Sequence, residues 1–306
     1  MDLRQLAAIV AVAEHRNFSA AARALHTVQS NISTHVARLE RELGVTLFDR
    51  VSSALTPEGE AVVSRSRRIQ AELEALVADV ASVHSEVSGR VRIGIIGTTA
   101  RWLTSHLLRA MDERFPLVEV VVVDATTTSL LPQVLAGQLD LAVVALPVTD
   151  PDIDTELLFE EDLVVVAPID HPLASQSSVT LEELARHEIL LEPPGTAFRD
   201  DLDRQAAAAG LQLRTRAEID GMRLLLSLAL EGFGAAVLPA TAPSTARGAP
   251  NWKRVAIEGA TGRSVGVARR RRGLPSAPAR ALREVLVDVV AAHAADQPGI
   301  RVTYEA

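Results

Sequence analysis

From residue 89 onward the chain repeats one pattern, a short and strongly apolar run followed by a stretch with helical spacing. The runs fall at 91–96, 118–123, 141–145, 163–167, 189–191, 235–238 and 264–268. Runs this apolar suit strands buried on both faces, because a strand with one wet face alternates apolar and polar residues. The stretches between them, near 101–113, 128–137, 199–209, 221–232 and 276–294, suit crossover helices. The pattern predicts an α/β architecture with a largely parallel sheet, or two such sheets. There is no internal repeat and no low-complexity segment.

The first 88 residues lack this pattern and read as helical. With 306 residues, 48% of them hydrophobic, the chain is long enough for two domains, each with its own core. Residues 57–88 are expected to form one long helix. Thr56 can cap it, Pro57 fits the first helical position and Glu58 suits its positive end. Val62, Ile69, Leu76 and Val83 form one seven-residue series and Leu73, Val80 and Val87 a second, interrupted by Ser66. That is a coiled-coil seam, about 45 Å long for about 30 residues. A seam predicts a dimer; the same stripe could instead pack on the chain's own α/β half.

Ahead of that helix, residues 2–15 carry Leu3, Leu6, Val10 and Ala13 on one helical face. Ser19 is a candidate cap for a second helix over 20–25, kept thin by Ala20, Ala21 and Ala22. A short turn near 26–29 leads to a third helix over 29–43. There Ile32, Val36, Leu39 and Leu43 should face the core, and Ser30, Ser33, Thr34, Arg38 and Arg41 the other side. Those polar groups can donate to bases or phosphates, and a helix–turn–helix of this length is a major-groove reader. The same geometry with a merely solvated polar face occurs in proteins that never meet DNA.

Charge and composition narrow the functions. The net charge is −8, acidic for a nucleic-acid binder, but residues 1–58 hold six Arg against six Asp and Glu, so the acid excess lies downstream. Cysteine is absent, which excludes disulfides, thiolate metal sites and thiol redox sensing in this chain. No signal peptide is visible, and no uninterrupted apolar run reaches about 18 residues. A cytoplasmic, nucleoid-associated protein with no membrane partner is expected. Gly232-Phe233-Gly234 follows a helix and precedes a strand, the wrong order for a dinucleotide fingerprint, and its third glycine is missing. No phosphate loop, metal cluster or nucleophile elbow occurs, so no cofactor or enzymatic activity is expected. The run 269–272 of four arginines reads as the solvated end of a strand.

Specific residues add to these patterns. Phe18-Ser19-Ala20-Ala21-Ala22, Leu25, Gln29-Ser30, Ser33, Leu39-Glu40, Leu43-Gly44, Leu47-Phe48, Arg50 and Leu55-Thr56-Pro57-Glu58-Gly59 together resemble the winged helix-turn-helix of LysR-type transcriptional regulators. The resemblance implies that the helix over 29–43 enters the major groove of double-stranded DNA and that the hairpin over 46–55 is the wing. The implied DNA-facing residues are Gln29, Ser30, Asn31, Ser33, Thr34, Arg38, Arg50 and Ser52. Two positions depart from the family's pattern. Val28 stands where many members have Ser, leaving Thr27 as the candidate cap. The wing is short and carries only Arg50 as a base, so the recognition helix is expected to supply most of the specificity.

Glu161-Asp162-Leu163-Val164-Val165-Val166, Asp170-His171-Pro172-Leu173-Ala174, Glu231-Gly232-Phe233-Gly234 and Val237-Leu238-Pro239 extend the resemblance to the family's effector-binding domain. That domain is similar to periplasmic solute-binding proteins, with two α/β subdomains joined by two crossing strands. The implied organisation is a winged helix-turn-helix over 1–58, a linker helix over 59–88 and an effector domain over 89–306. Its first subdomain would span about 89–162 and 265–296, its second about 163–264. A small-molecule effector would lie between them, near Thr98, Thr99, Ala100, Thr126, Thr127, Pro147, Thr196, Phe198 and Met222. Thr98 and Thr99 also stand on their own chemistry. Their hydroxyls follow Gly97 at a helix start, where free backbone N–H groups favour a carboxylate or other anion; ordinary helix capping would explain them equally. The family further implies dimers or tetramers, and RNA polymerase as a partner when the regulator activates. The rival readings are a solute-binding protein and an enzyme with a helical dimerisation arm.

Overall fold

A computed structural model describes residues 1–49, 54–84, 86–243 and 251–302. The chain divides into two compact units, one of residues 1–83 with the short stretch 136–138, and one of the remainder.

The first unit begins with α1 (Leu3–His15), opened by a capping box in which Asp2 accepts from the Gln5 amide and Gln5 answers to the Asp2 amide. Its buried face is Leu6, Ile9, Val10 and Val12, while Leu3, expected inside, is exposed. Helix α2 (Phe18–Ala24) starts two residues earlier than its sequence suggests, because Asn17 rather than Ser19 is the cap, accepting from the Ala20 amide at 2.9 Å. Ala21 and Ala22 are buried where α1 and α3 (Gln29–Leu43) cross it. Ile32, Val36 and Leu39 of α3 enter the core as their spacing requires; Leu43, at the last turn, stays exposed.

The entry to α4 (Pro57–His84) is tied back to the hairpin before it. The Thr56 hydroxyl accepts from the Gly59 amide at 3.0 Å and donates to the Thr46 carbonyl at 2.8 Å, and the Thr56 amide donates to the Leu47 carbonyl at 3.0 Å. Phe48 and Leu55 form an isolated antiparallel bridge, and Phe18 meets Phe48 edge-on at 5.7 Å. Gly59 sits so close to the hairpin that a Cβ would lie 2.1 Å from the Leu47 carbonyl oxygen. Farther along α4, Leu76, Val77, Val80 and Val83 are exposed in the single chain.

The second unit contains two six-stranded sheets. The first takes β1 (Gly89–Ile95), β2 (Val118–Asp124), β3 (Leu141–Leu146), β4 (Ile153–Glu161), β11 (Arg263–Arg270) and β12 (Ile300–Arg301), in the order β12-β4-β11-β3-β1-β2. Helices α5 (Gly97–Arg114), α6 (Thr127–Leu135) and α10 (Ala277–His293) belong to it. The second takes β5 (Leu163–Pro168), β6 (Ser178–Thr180), β7 (Glu188–Leu191), β8 (Arg214–Glu218), β9 (Ala236–Pro239) and β10 (Trp252–Glu258), in the order β6-β10-β5-β9-β7-β8, with α7 (Leu181–Ala185), α8 (Ala197–Ala208) and α9 (Met222–Leu230). Each sheet is mixed rather than largely parallel. The pairs β1–β2, β1–β3, β7–β8, β7–β9 and β6–β10 are parallel, whereas β11 runs antiparallel to β3 and β4, and β5 antiparallel to β9 and β10. The antiparallel members are the strands by which the chain passes between the sheets, at Asp162 and again at residues 259–262.

A bulge interrupts the β4–β11 ladder. Val265 pairs with Phe159 and Gly266 with Leu157, so Leu158 is an extra residue on β4. Leu158 and Phe159 are consequently both buried, although neighbours on a strand normally face opposite ways.

Adding a methyl group at Gly59 must push the Leu47 backbone away. Gly59→Ala is expected to destabilise the N-terminal unit by about 1–3 kcal/mol, visible as a lower urea midpoint for the transition of that unit.

Candidate functional site

In the first unit the candidate surface is the face of α3 turned from the core. Gln29, Ser30, Asn31, Thr34 and Arg38 are exposed and Ser33 is half-buried. Thr34 donates its hydroxyl proton to the Ser30 carbonyl at 2.8 Å, within the helix. Neither Thr27 nor Val28 caps α3. Thr27 spends its hydroxyl on the Asn31 side chain at 3.0 Å, and Val28, in the cap position, has no polar group. The first turn of α3 therefore presents backbone N–H groups and a partial positive charge without a side-chain acceptor. Arg38 and Arg41 form no ion pair among the described residues, so both charges remain available. Arg50 and Ser52, the expected wing contacts, lie outside the described residues.

In the second unit a cleft of about 340 Å³ opens where helix N-termini from both sheets meet. Its walls include Gly97 and Thr98 from α5, residues 126–128 at the start of α6, Thr196 and Phe198 at the start of α8, and Gly221 and Met222 at the start of α9. Of the residues expected near an effector, Thr98, Thr126, Thr127, Thr196, Phe198 and Met222 line this cleft. The other three do not: Thr99 is fully buried with its hydroxyl unpartnered, Ala100 packs on the core of the first sheet, and Pro147 is exposed just beyond β3.

The local hydrogen bonds fix these side chains. Thr127 accepts from the Ala145 amide at 3.1 Å, joining α6 to the end of β3. Thr196 caps α8 by accepting from the Arg199 amide at 3.3 Å. Ordinary capping does not explain Thr98 or Thr99, since α5 has Ile96 at its cap position and no side-chain cap. Thr98 instead accepts from Arg263 Nη2 at 2.6 Å.

That arginine was not anticipated, and it anchors a buried network. Arg263, 9% exposed, donates to Glu161 Oε2 from Nε at 2.9 Å and from Nη2 at 2.7 Å. Glu161, 0% exposed, uses Oε1 to accept from the Thr241 amide at 2.8 Å and the Thr241 hydroxyl at 2.6 Å. Arg101 of α5 donates to the Thr241 carbonyl at 2.6 Å. Glu161 ends β4 and Arg263 begins β11, so the pair sits at the chain's two passages between the sheets. Further hydrogen bonds offset the cost of burying a charge pair; here Thr241 serves the second oxygen of Glu161 and Thr98 accepts a further guanidinium proton.

Sequence reasoning also missed Glu192. It follows β7, is 5% exposed and lines the cleft. Burial pushes its carboxyl above the usual glutamate range, and Asp220 adds to the rise; Thr196 and Arg263 act against it. At the rim, Arg223 pairs with Asp124 at 2.8 Å. A charged residue directly after a wholly apolar strand, as in Ile189-Leu190-Leu191-Glu192, is the signal that could have found it.

Among the described residues no helix is long and apolar enough to cross a membrane, and no cluster of His, Asp and Glu could hold a metal.

Residues 3–60 match the family described as bacterial regulatory helix-turn-helix protein, lysR family, and residues 84–291 match the LysR substrate binding domain. The chain belongs to the LysR family of bacterial transcriptional regulators. It is a DNA-binding regulator with an effector-binding domain, controlled by a small molecule, and it is not an enzyme. A probable hydrogen peroxide-inducible genes activator of Streptomyces viridosporus is 35% identical over 246 residues, covering 79% of this chain and 78% of the relative. The structure of a full-length OxyR variant from Pseudomonas aeruginosa superposes with a TM-score of 0.77 at 26% identity, covering 100% of this chain and 99% of that one. Full-length CbnR complexed with its target DNA gives a TM-score of 0.69 at 26% identity, covering 95% and 99%.

Two outcomes test the site's electrostatics. Glu161→Gln leaves Arg263 buried without its counter-charge and is expected to destabilise the second unit by about 3–5 kcal/mol in urea denaturation. Because the Glu192 carboxyl is raised in the folded protein, its contribution to stability is greatest below about pH 4 and declines as pH rises through the folded value. Glu192→Gln should therefore be more stable than wild type at pH 7, and the difference should close near pH 4, read from urea midpoints at both values.

Proposed function

We propose that the chain reads a dyad-symmetric operator through α3 in a homodimer paired along α4, and that a ligand in the α5–α9 cleft governs the outcome. The observation that carries the DNA reading is α3 itself. Its core face is filled by Ile32, Val36 and Leu39, while its uncapped first turn, exposed Gln29, Ser30, Asn31 and Thr34, and the unpaired Arg38 together supply donors for phosphates and bases. The exposed stripe Ile69, Leu73, Leu76, Val80 and Val83 supports pairing along α4, since apolar surface of this extent and spacing calls for a partner. Two copies would place two recognition helices about one two-fold axis. The same reading places the protein at the nucleoid and gives it RNA polymerase as a partner when it activates; pairing of dimers into tetramers would follow the family's habit.

The effector reading rests on the cleft. Six of the nine expected residues line one cavity, and a volume near 340 Å³ suits a small ligand. The start of α5 favours a carboxylate or similar acceptor on that ligand. The relatives' names refer to hydrogen peroxide, but this chain contains no cysteine, so oxidation of a thiol is not a signal it can receive. A reversibly bound molecule that favours one arrangement of the cleft over another accounts for regulation without it.

In gel-shift titrations, Gln29→Ala and Ser33→Ala should each weaken operator binding by about 1–3 kcal/mol, roughly 5- to 150-fold, and leave nonspecific DNA affinity nearly unchanged. Equal losses on both DNAs would assign these residues to the phosphate backbone and overturn base reading by α3.

A further inference from the structure

If a small molecule occupies the cleft, as proposed above, Glu192 is the wall residue least satisfied by the protein alone. The residue is 5% exposed and lines the cleft, and among the described residues its carboxyl forms no ion pair. Arg263 gives two hydrogen bonds to Glu161 and one to Thr98, and Arg223 pairs with Asp124. The Thr196 hydroxyl has one proton, and the Pro193 carbonyl, at 3.2 Å, competes for it. Asp220, the other charged group felt there, is a second acid. Burial of a carboxyl under these conditions is unfavourable unless a donor arrives from outside.

A complementary shortage lies across the same cavity. The first turn of α5 has no side-chain cap, and Thr98, which stands in it, receives the same guanidinium whose charge reaches Glu192. The cleft therefore leaves the α5 amides without a side-chain cap, the Asp124 carboxylate beside Gly97 being engaged by Arg223, and leaves Glu192 without a cationic donor. A simple carboxylic acid would fill the first and set a second negative charge near Glu192. A simple amine would fill the second and leave α5 unmet.

We infer that the cleft selects a small zwitterion, a free amino acid or close analogue, whose carboxylate is received by the first turn of α5 and whose ammonium is received by Glu192. The modest volume of about 340 Å³ agrees with a ligand of this size.

The test uses the full-length protein and isothermal titration with the standard L-amino acids, their matched desamino acids and their matched decarboxylated amines. At least one amino acid should bind about tenfold or more tightly than its matched acid and its matched amine, the worth of one hydrogen-bonded charge. Glu192→Gln should lose that preference while binding the matched acid at least as tightly as wild type does, with an unfolding midpoint no lower than wild type. Thr128→Trp, which fills the cleft from α6, should abolish binding altogether. Preference unchanged in Glu192→Gln, equal binding of the desamino acid, or no binding by any amino acid would each overturn the zwitterion inference. If a desamino acid binds and Thr128→Trp removes it, the cleft reading stands without the zwitterion. If an amino acid binds equally well to Thr128→Trp, the cleft reading itself fails.

Discussion

The ion pair between Glu161 and Arg263 is the interaction on which the second unit's organisation turns. Both residues stand at points where the chain leaves one sheet for the other, and both are out of water. Charges so placed tolerate little change in their surroundings, because any movement that separates them exposes an uncompensated charge to a low-dielectric interior. The network spreads from the pair to α5 through Thr98 and Arg101, and to the loop after β9 through Thr241. Residues from both sheets are thereby fixed around one guanidinium and one carboxylate, and the cleft inherits their geometry. A ligand touching Thr98 touches this network directly, which gives a physical route from an occupied cleft to the passages between sheets.

The elements most visible in the sequence are those whose packing is uniform along their length. Strands β3, β5, β7 and β9 are buried along most of their length, so an apolar run marks them. Strands β4, β8 and β10 alternate polar with apolar residues, as in Arg214-Thr215-Arg216-Ala217-Glu218, and their short runs were lost among loops and helix ends. The mixed direction of the sheets followed the same omission, since β4 and β10 supply antiparallel pairings. Helix α3 was legible to its ends because its core positions keep helical spacing and Gly44 stops it in a left-handed conformation at φ 71°. The start of α2 was not, because Asn17 and Ser19 are both good caps and only the fold chooses between them.

The candidate site divides along similar lines. Threonines at helix starts are read locally, so Thr98, Thr127 and Thr196 were found from short motifs or family resemblance. Glu161 and Arg263 meet across 102 residues of sequence, and no local pattern announces such a pairing. Glu192 owes its character to burial alone. Its sequence context says only that a charge follows an apolar strand. The charged residues that give the cleft its chemistry are thus the ones that folding, rather than spacing, brings together.

The bulge on β4 has a consequence for this chemistry. The stretch Glu160-Glu161-Asp162 offers three successive acids at one passage between the sheets. Strand parity decides which of them turns inward, and the extra residue at Leu158 resets that parity. Glu161 becomes the fully enclosed partner of Arg263, while Glu160 remains on the wet side, where it meets Arg301 at 3.9 Å. Beyond the bulge the ladder is regular and sets Glu161 directly opposite Arg263, so the identity of the buried acid is written in the pairing of the strand as much as in its letters.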